Sequence, residues 1–163
     1  MFVFAIGLLI VLLDQYTKYW IRTHLLHGEM RPVIPGFFNL VYVRNDGAAW
    51  NILSGQGIIL ILISVTVLVL LLVYRRSFLK EQLLHRILLG LMVGGIAGNL
   101  IDRVRFGWVT DFLDFQFGAY HYPSFNVADS AICTAAALYI ITNLFSRGAS
   151  KEHGEEGMEQ GDG

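Results

Sequence analysis

The chain has 163 residues, 55% of them hydrophobic and only 15% charged, with a net charge of −1 and a mean hydropathy of +0.54. Soluble domains run at about 45–50% apolar and about 25% charged, so this composition points to a membrane protein. The near-neutral charge, with no basic patch interleaved with aromatics, excludes nucleic acid as a partner. The one cysteine, Cys133, excludes an intramolecular disulfide and a Cys-based metal site; its apolar surroundings predict a buried packing residue.

A helix needs roughly 20 mostly apolar residues to cross the hydrocarbon core, and four segments qualify: 2–21, 57–74, 84–103 and 127–145. The first lacks the basic start and small-x-small cleavage site of a signal peptide, so it is read as a crossing. It carries Asp14 and Lys18, four apart on one helical face, which predicts an ion pair within the membrane. The connection 22–56 follows. Its "FFNLVYV" (37–43) is rich in strand formers, and "RNDGAAWN" (44–51) carries an Asn-Asp-Gly turn signal, so a small hairpin or sheet is expected. Phe37, Phe38, Tyr42, Trp50 and Trp108 are expected to form an interfacial aromatic layer, and Asn45 to make the turn or reach the site.

The loop 75–86, "RRSFLKEQLLHR", concentrates Arg75, Arg76, Lys80 and Arg86 and is therefore expected on the cytoplasmic side. Both termini then lie inside, with 22–56 and 104–126 outside. In the third span Gly90, Gly94 and Gly98 form two GxxxG spacings suited to close helix packing. Gly95, Asn99 and Arg103 recur on another face. The tail 147–163, "RGASKEHGEEGMEQGDG", is polar and expected to be disordered. The fold class is thus an all-α membrane protein with four transmembrane helices and a small extracytoplasmic β element, in one domain over 1–146.

On this topology the polar residues of the spans converge at one level. Asp14 is roughly 18 Å along its helix at 1.5 Å per residue, in the outer half of the membrane. Asn99, Asp102 and Arg103 end the third span, Asn126 and Asp129 begin the fourth, and Asp111 lies between them. An aspartate at the bilayer centre costs from ~2.5 kcal/mol upward. Helix capping explains Asp129 alone, but caps would be scattered over both membrane faces; a one-sided cluster points to a site. A transporter would place polar residues in both halves of the spans. A non-enzymatic assembly factor, docking through its GxxxG faces, gives no reason for Asp111, Asn126 and Asp129 together.

None of His24, His27, His85, His121 or His153 falls in an HExxH pattern, so no zinc site is expected, and no cofactor. A Ser/Lys dyad fails because Lys18 is committed to Asp14. What remains is a carboxylate pair sharing a proton, one member taking a proton from water and the other polarising a carbonyl. Asp102, Asp111, Asp114 and Asp129 are the candidates. Asp102 beside Arg103 is expected to be salt-bridged or capping, and the residues alone do not separate Asp111 from Asp114.

At these positions the chain resembles signal peptidase II, the bacterial prolipoprotein signal peptidase, an intramembrane aspartic protease. The resemblance runs over about 1–146 through "DQYTK" (14–18), "NDGAAW" (45–50), "GNLIDR" (98–103), "VTDFLDF" (109–115) and "FNVAD" (125–129). Trp50 departs from the expected Phe, an aromatic exchange. The resemblance implies a dyad of Asp111 and Asp129, with Asn126 beside it. It implies that Asn45, Gly95, Asn99 and Arg103 shape the substrate site and that Asp14 and Lys18 support it. It further implies multi-pass residence in the bacterial cytoplasmic (inner) membrane with the site near the extracytoplasmic face. The implied partners are diacylglyceryl-modified prolipoproteins, cut before the lipidated cysteine, membrane lipid, and globomycin-type inhibitors.

Overall fold

The computed structural model describes residues 2–48, 52–78 and 83–159. Helix α1 (Phe2–His24) is followed by strands β1 (Met30–Ile34) and β2 (Phe38–Asn45). Then come α2 (Gly57–Val73), the one-turn α3 (Arg75–Phe78), α4 (Leu83–Phe106), strands β3 (Val109–Phe117) and β4 (Tyr120–His121), and α5 (Val127–Glu159). Among the described residues, α1, α4 and the stretch Val127–Leu144 of α5 are long and apolar enough to cross a membrane. Helix α2 is apolar but only 17 residues long. Helical backbone in α5 continues past 146, where the composition turns polar, as far as Glu159. Trp50 and Lys80, both used in the sequence reading, lie outside the described residues.

Helix α4 is the central element: α1, α2 and α5 all pack on it. Glycines make that approach possible. A Cβ on Gly94 would lie 2.6 Å from the carbonyl oxygen of Gly7 on α1, and one on Gly95 would lie 2.6 Å from that of Ala128 on α5. The small-residue spacing thus serves two neighbours, one on each side of α4. The outward faces of α1 and α2 expose Phe4, Leu8, Leu12, Ile58, Leu62 and Val69, apolar surfaces of the kind lipid covers.

The two long connections build one antiparallel sheet of order β1-β2-β3-β4. The sequence signal for a strand in 38–45 is realised, but the hairpin turn is elsewhere. It falls at 35–37, where Gly36 takes φ 75°, a value that suits glycine. "NDG" instead terminates β2 in an Asx-turn, Asn45 Oδ1 accepting from Gly47 N–H at 3.0 Å. Strand β3, from "VTDFLDFQF", was unanticipated, although its β-branched and aromatic residues carry the signal. It pairs Leu113 with Leu40 and Asp111 with Val43, with a register shift between Leu40 and Val43.

The sheet rests on the end of α1 through a core of Ile21, Leu25, Tyr42 and Phe112. Tyr42 is therefore a core residue and not part of an interfacial aromatic layer. Phe37 and Phe38 pack with Phe115, and Trp108 lies under the Arg44 guanidinium at 4.6 Å.

Candidate active site

Chain geometry brings four elements to one point. Strand β2 supplies Asn45 at its end, β3 supplies Asp111, α4 supplies Asn99 and Arg103, and the first turn of α5 supplies Asp129. Together they line a cavity of about 900 Å³, reached also by Ser64 of α2 and Cys133 of α5. Cys133 is exposed there, not buried as its apolar context predicts.

Helix α5 begins with a reciprocal cap. Asn126 Oδ1 accepts from Asp129 N–H at 3.0 Å, and Asp129 Oδ2 accepts from Asn126 N–H at 3.2 Å. This is a capping box, with Asn126 as the N-cap and Asp129 three residues on. Asp129 is therefore not the cap itself. Its second oxygen, Oδ1, accepts from Asn99 Nδ2 at 2.7 Å. Asp111 is held the same way: Oδ1 accepts from Asn126 Nδ2 at 2.7 Å, and Oδ2 from Asn45 Nδ2 at 2.8 Å. Each of the four carboxylate oxygens thus receives one N–H, and Asn126 touches both aspartates.

Asp111 is 2% exposed. Burial, reinforced by the neighbouring Asp129 charge, pushes its carboxyl up to about 7 against the opposing bonds from Asn45 and Asn126. A carboxyl in that range holds or releases a proton near neutral pH, as acid–base chemistry requires.

Behind the two carboxylates lies an ionic cluster whose centre, Lys18 with Asp14 and Asp102, has no exposure to solvent. Lys18 Nζ meets Asp14 Oδ2 at 2.9 Å, Asn99 Oδ1 at 2.8 Å and Asp102 Oδ2 at 3.6 Å. Asp14 Oδ1 accepts from Ala128 N–H at 3.0 Å, anchoring the first turn of α5 to α1. Asp102 accepts from Thr110 N–H at 3.1 Å and lies 3.6 Å from Arg22. Its charge partners are thus on α1, and its neighbour Arg103 turns the other way. The Arg103 guanidinium lines the cavity and donates to Gly47 O at 3.2 Å, while its Nε is buried without a partner.

Gly95 does not line the cavity but seats α5 against α4. Gly98, one turn on, lies where a Cβ would sit 2.7 Å from Asp14 Oδ2. Asp114 is separate from the cluster: Asn39 Nδ2 donates to it at 2.7 Å, and His121 Nδ1 lies 3.0 Å away. Gln15, Arg22 and Thr110 belong to the ionic cluster and escaped the sequence reading. Arg22 was detectable, because Asp14, Lys18 and Arg22 recur every fourth residue.

The model of the family described as "Signal peptidase (SPase) II" matches residues 6–145. The lipoprotein signal peptidase of Syntrophotalea carbinolica is 47% identical over 140 residues, covering 83% of this chain and 86% of its own. That of Bacillus velezensis is 41% identical over 152 residues, covering 93% and 99%. A solved bacterial membrane enzyme superposes with a TM-score of 0.83 at 36% identity, over 91% of this chain and 90% of that one. Motifs, fold and these matches agree, and the chain belongs to the signal peptidase II family.

Proposed function

We propose that this protein is an intramembrane aspartic endopeptidase that removes signal peptides from diacylglyceryl-modified prolipoproteins, cutting before the lipidated cysteine with Asp111 and Asp129 as its dyad. The observation that carries the reading is Asn126, whose side-chain amide donates to the Asp111 carboxylate and whose backbone N–H donates to that of Asp129, while both carboxylates face one cavity. The ionised carboxylate takes a proton from water as the resulting hydroxide attacks the scissile carbonyl. The protonated carboxyl gives its proton to the carbonyl oxygen, yielding a tetrahedral diol. The first carboxyl then passes its proton to the departing amine, the C–N bond breaks, and the second recovers its proton as the new carboxylic acid forms. Neither a covalent intermediate nor a metal enters this sequence.

Asn45, Asn99 and Asn126 hold the dyad, while the Arg103 guanidinium stands at the cavity wall to meet the substrate backbone. Asp14 and Lys18 support the dyad from behind, and Gly95 sets the spacing of the helices that carry it. The apolar outer faces support four crossings, with α2 short at about 26 Å of helix. The basic residues of 75–86 support cytoplasmic termini in the bacterial inner membrane and a site and sheet at the extracytoplasmic face. Residues 1–146 form the peptidase unit and 147–163 a cytoplasmic tail. A lipidated substrate then reaches the cavity sideways from the bilayer, and a globomycin-type cyclic peptide competes for the same space.

The test is cleavage of a diacylglyceryl-modified prolipoprotein by the purified protein in detergent. Wild type and Asp114→Asn are expected to cleave, with Asp111→Asn and Asp129→Asn folded but inactive. Near-normal cleavage by both dyad variants would end the aspartic mechanism.

A further inference from the structure

A side-chain amide has one accepting and one donating end, and the groups facing it decide which points where. For Asn45, Asn99 and Asn126 the amide is set by a group that can only donate. Gly47 N–H claims Asn45 Oδ1, and Asp129 N–H claims Asn126 Oδ1, at 3.0 Å each. The Lys18 ammonium claims Asn99 Oδ1 at 2.8 Å. Each Nδ2 is therefore turned onto a dyad carboxylate. The two aspartates differ in what stands behind their donors. Those on Asp111 trace back to neutral backbone N–H groups, whereas the Asn99 donor on Asp129 traces back to a cation.

We propose that Lys18 is a positioning residue: by pinning the Asn99 amide it holds Asp129 as a hydrogen-bond acceptor, making Asp129 the group that takes the proton from water and Asp111 the one that starts with a proton. The inference rests on the peptidase reading above. Flipping Asn99 would set its amide nitrogen against the ammonium, donor against donor, and its oxygen against Asp129. The other Asp129 oxygen faces the Asn126 N–H, also an obligate donor. An ionised Asp129 satisfies both. Lys18 has 0% exposure and does not line the cavity, so it does not act on the substrate directly; the hydrogen bond that links it to Asp129 runs through Asn99.

The test is prolipoprotein cleavage by full-length protein in detergent, with kcat, KM and melting temperature measured for wild type, Lys18→Met, Asn99→Ala and the double variant. Each single change is expected to lower kcat by about 100-fold with little change in KM, the scale of a small misplacement at a reacting centre. The double variant is expected to be no worse than the poorer single, the signature of two residues acting in series. Asn99→Asp covers the case in which Lys18→Met fails to fold. It keeps an oxygen for Lys18 but turns another toward Asp129, and is expected to lose the same kcat while melting like wild type. Multiplying losses in the double variant, an effect confined to KM, or an active Asn99→Asp would each overturn the assignment. A wild type that never cleaves would instead overturn the peptidase reading beneath it.

Discussion

Asn126 donates its amide N–H to Asp111 at 2.7 Å while its amide oxygen caps the helix that carries Asp129. One side chain thus sets the strand carboxylate relative to the helix carboxylate. The two duties separate by substitution. Asn126→Asp keeps a good N-cap but presents a carboxylate to Asp111. It is expected to retain most of the melting temperature and lose nearly all cleavage. Asn126→Ala is expected to lose both, with a cap contribution of about 1 kcal/mol. Cleavage and thermal melting of the two variants side by side would separate the roles. Near-normal cleavage by Asn126→Asp would show that the bond to Asp111 is irrelevant.

The protonation of Asp111 has a readable sign. Its carboxyl is raised from 3.8 in the unfolded chain to about 7 in the fold by burial and by Asp129. Between these values the folded state binds more protons, so stability falls as pH rises through that window and levels off above it. Wild type is expected to melt at higher temperature near pH 5 than near pH 8. Asp111→Asn is expected to flatten that slope. Cleavage is expected to decline above about pH 7, as the proton needed for the carbonyl oxygen is lost. A wild-type slope unchanged in Asp111→Asn would assign the effect to another group.

Apolar spans and the positions of their polar residues were legible in the sequence because lipid imposes a simple rule on each residue separately. The Asp14–Lys18 pair was legible for a similar reason, four-residue spacing on one helix. The sheet was half legible: "FFNLVYV" announced β2, but its partner β3 lies some seventy residues on, and pairing across that distance leaves no local pattern. The turn was misplaced because Asn-Asp-Gly also closes an Asx-turn, and only the strand register shows which use applies. Asp102 is salt-bridged, one of the two roles expected for it, but through Lys18 and Arg22 of α1, since neighbours on a helix such as Asp102 and Arg103 point about 100° apart. Cys133 and Tyr42 exchanged their expected environments, because composition does not show which side of a helix or sheet faces a cavity.

Gly95 tests whether helix spacing matters to the site. A methyl group there would stand 2.6 Å from Ala128 O and 2.8 Å from Ile132 Cγ1. The first neighbour is backbone, so α5 itself must move, and Asp129 is the residue that follows. Gly95→Ala is expected to destabilise the protein by about 1–3 kcal/mol, the usual cost of overpacking, and to lower cleavage more than stability alone accounts for. Gly57→Ala, where the nearest atom is 3.8 Å away, is the matched control. Equal behaviour of the two variants would show that the α4–α5 approach has slack.

Asp114 is the strongest internal control, because it is a buried aspartate three residues from Asp111 on the same strand. Side chains three apart on a strand lie on opposite faces, so the two carboxylates cannot serve one cavity. Asp114 instead accepts from Asn39 on β2 and lies against His121 on β4, tying three strands together. Asp114→Asn keeps an oxygen for Asn39 and is expected to cleave within a few-fold of wild type. Asp114→Leu leaves the buried Asn39 amide without its acceptor, a loss of about 1–3 kcal/mol. It is expected to lower the melting temperature while the surviving folded fraction still cleaves. An Asp114→Asn protein that folds normally yet cannot cleave would place Asp114 in the chemistry and return the choice of strand carboxylate to open question.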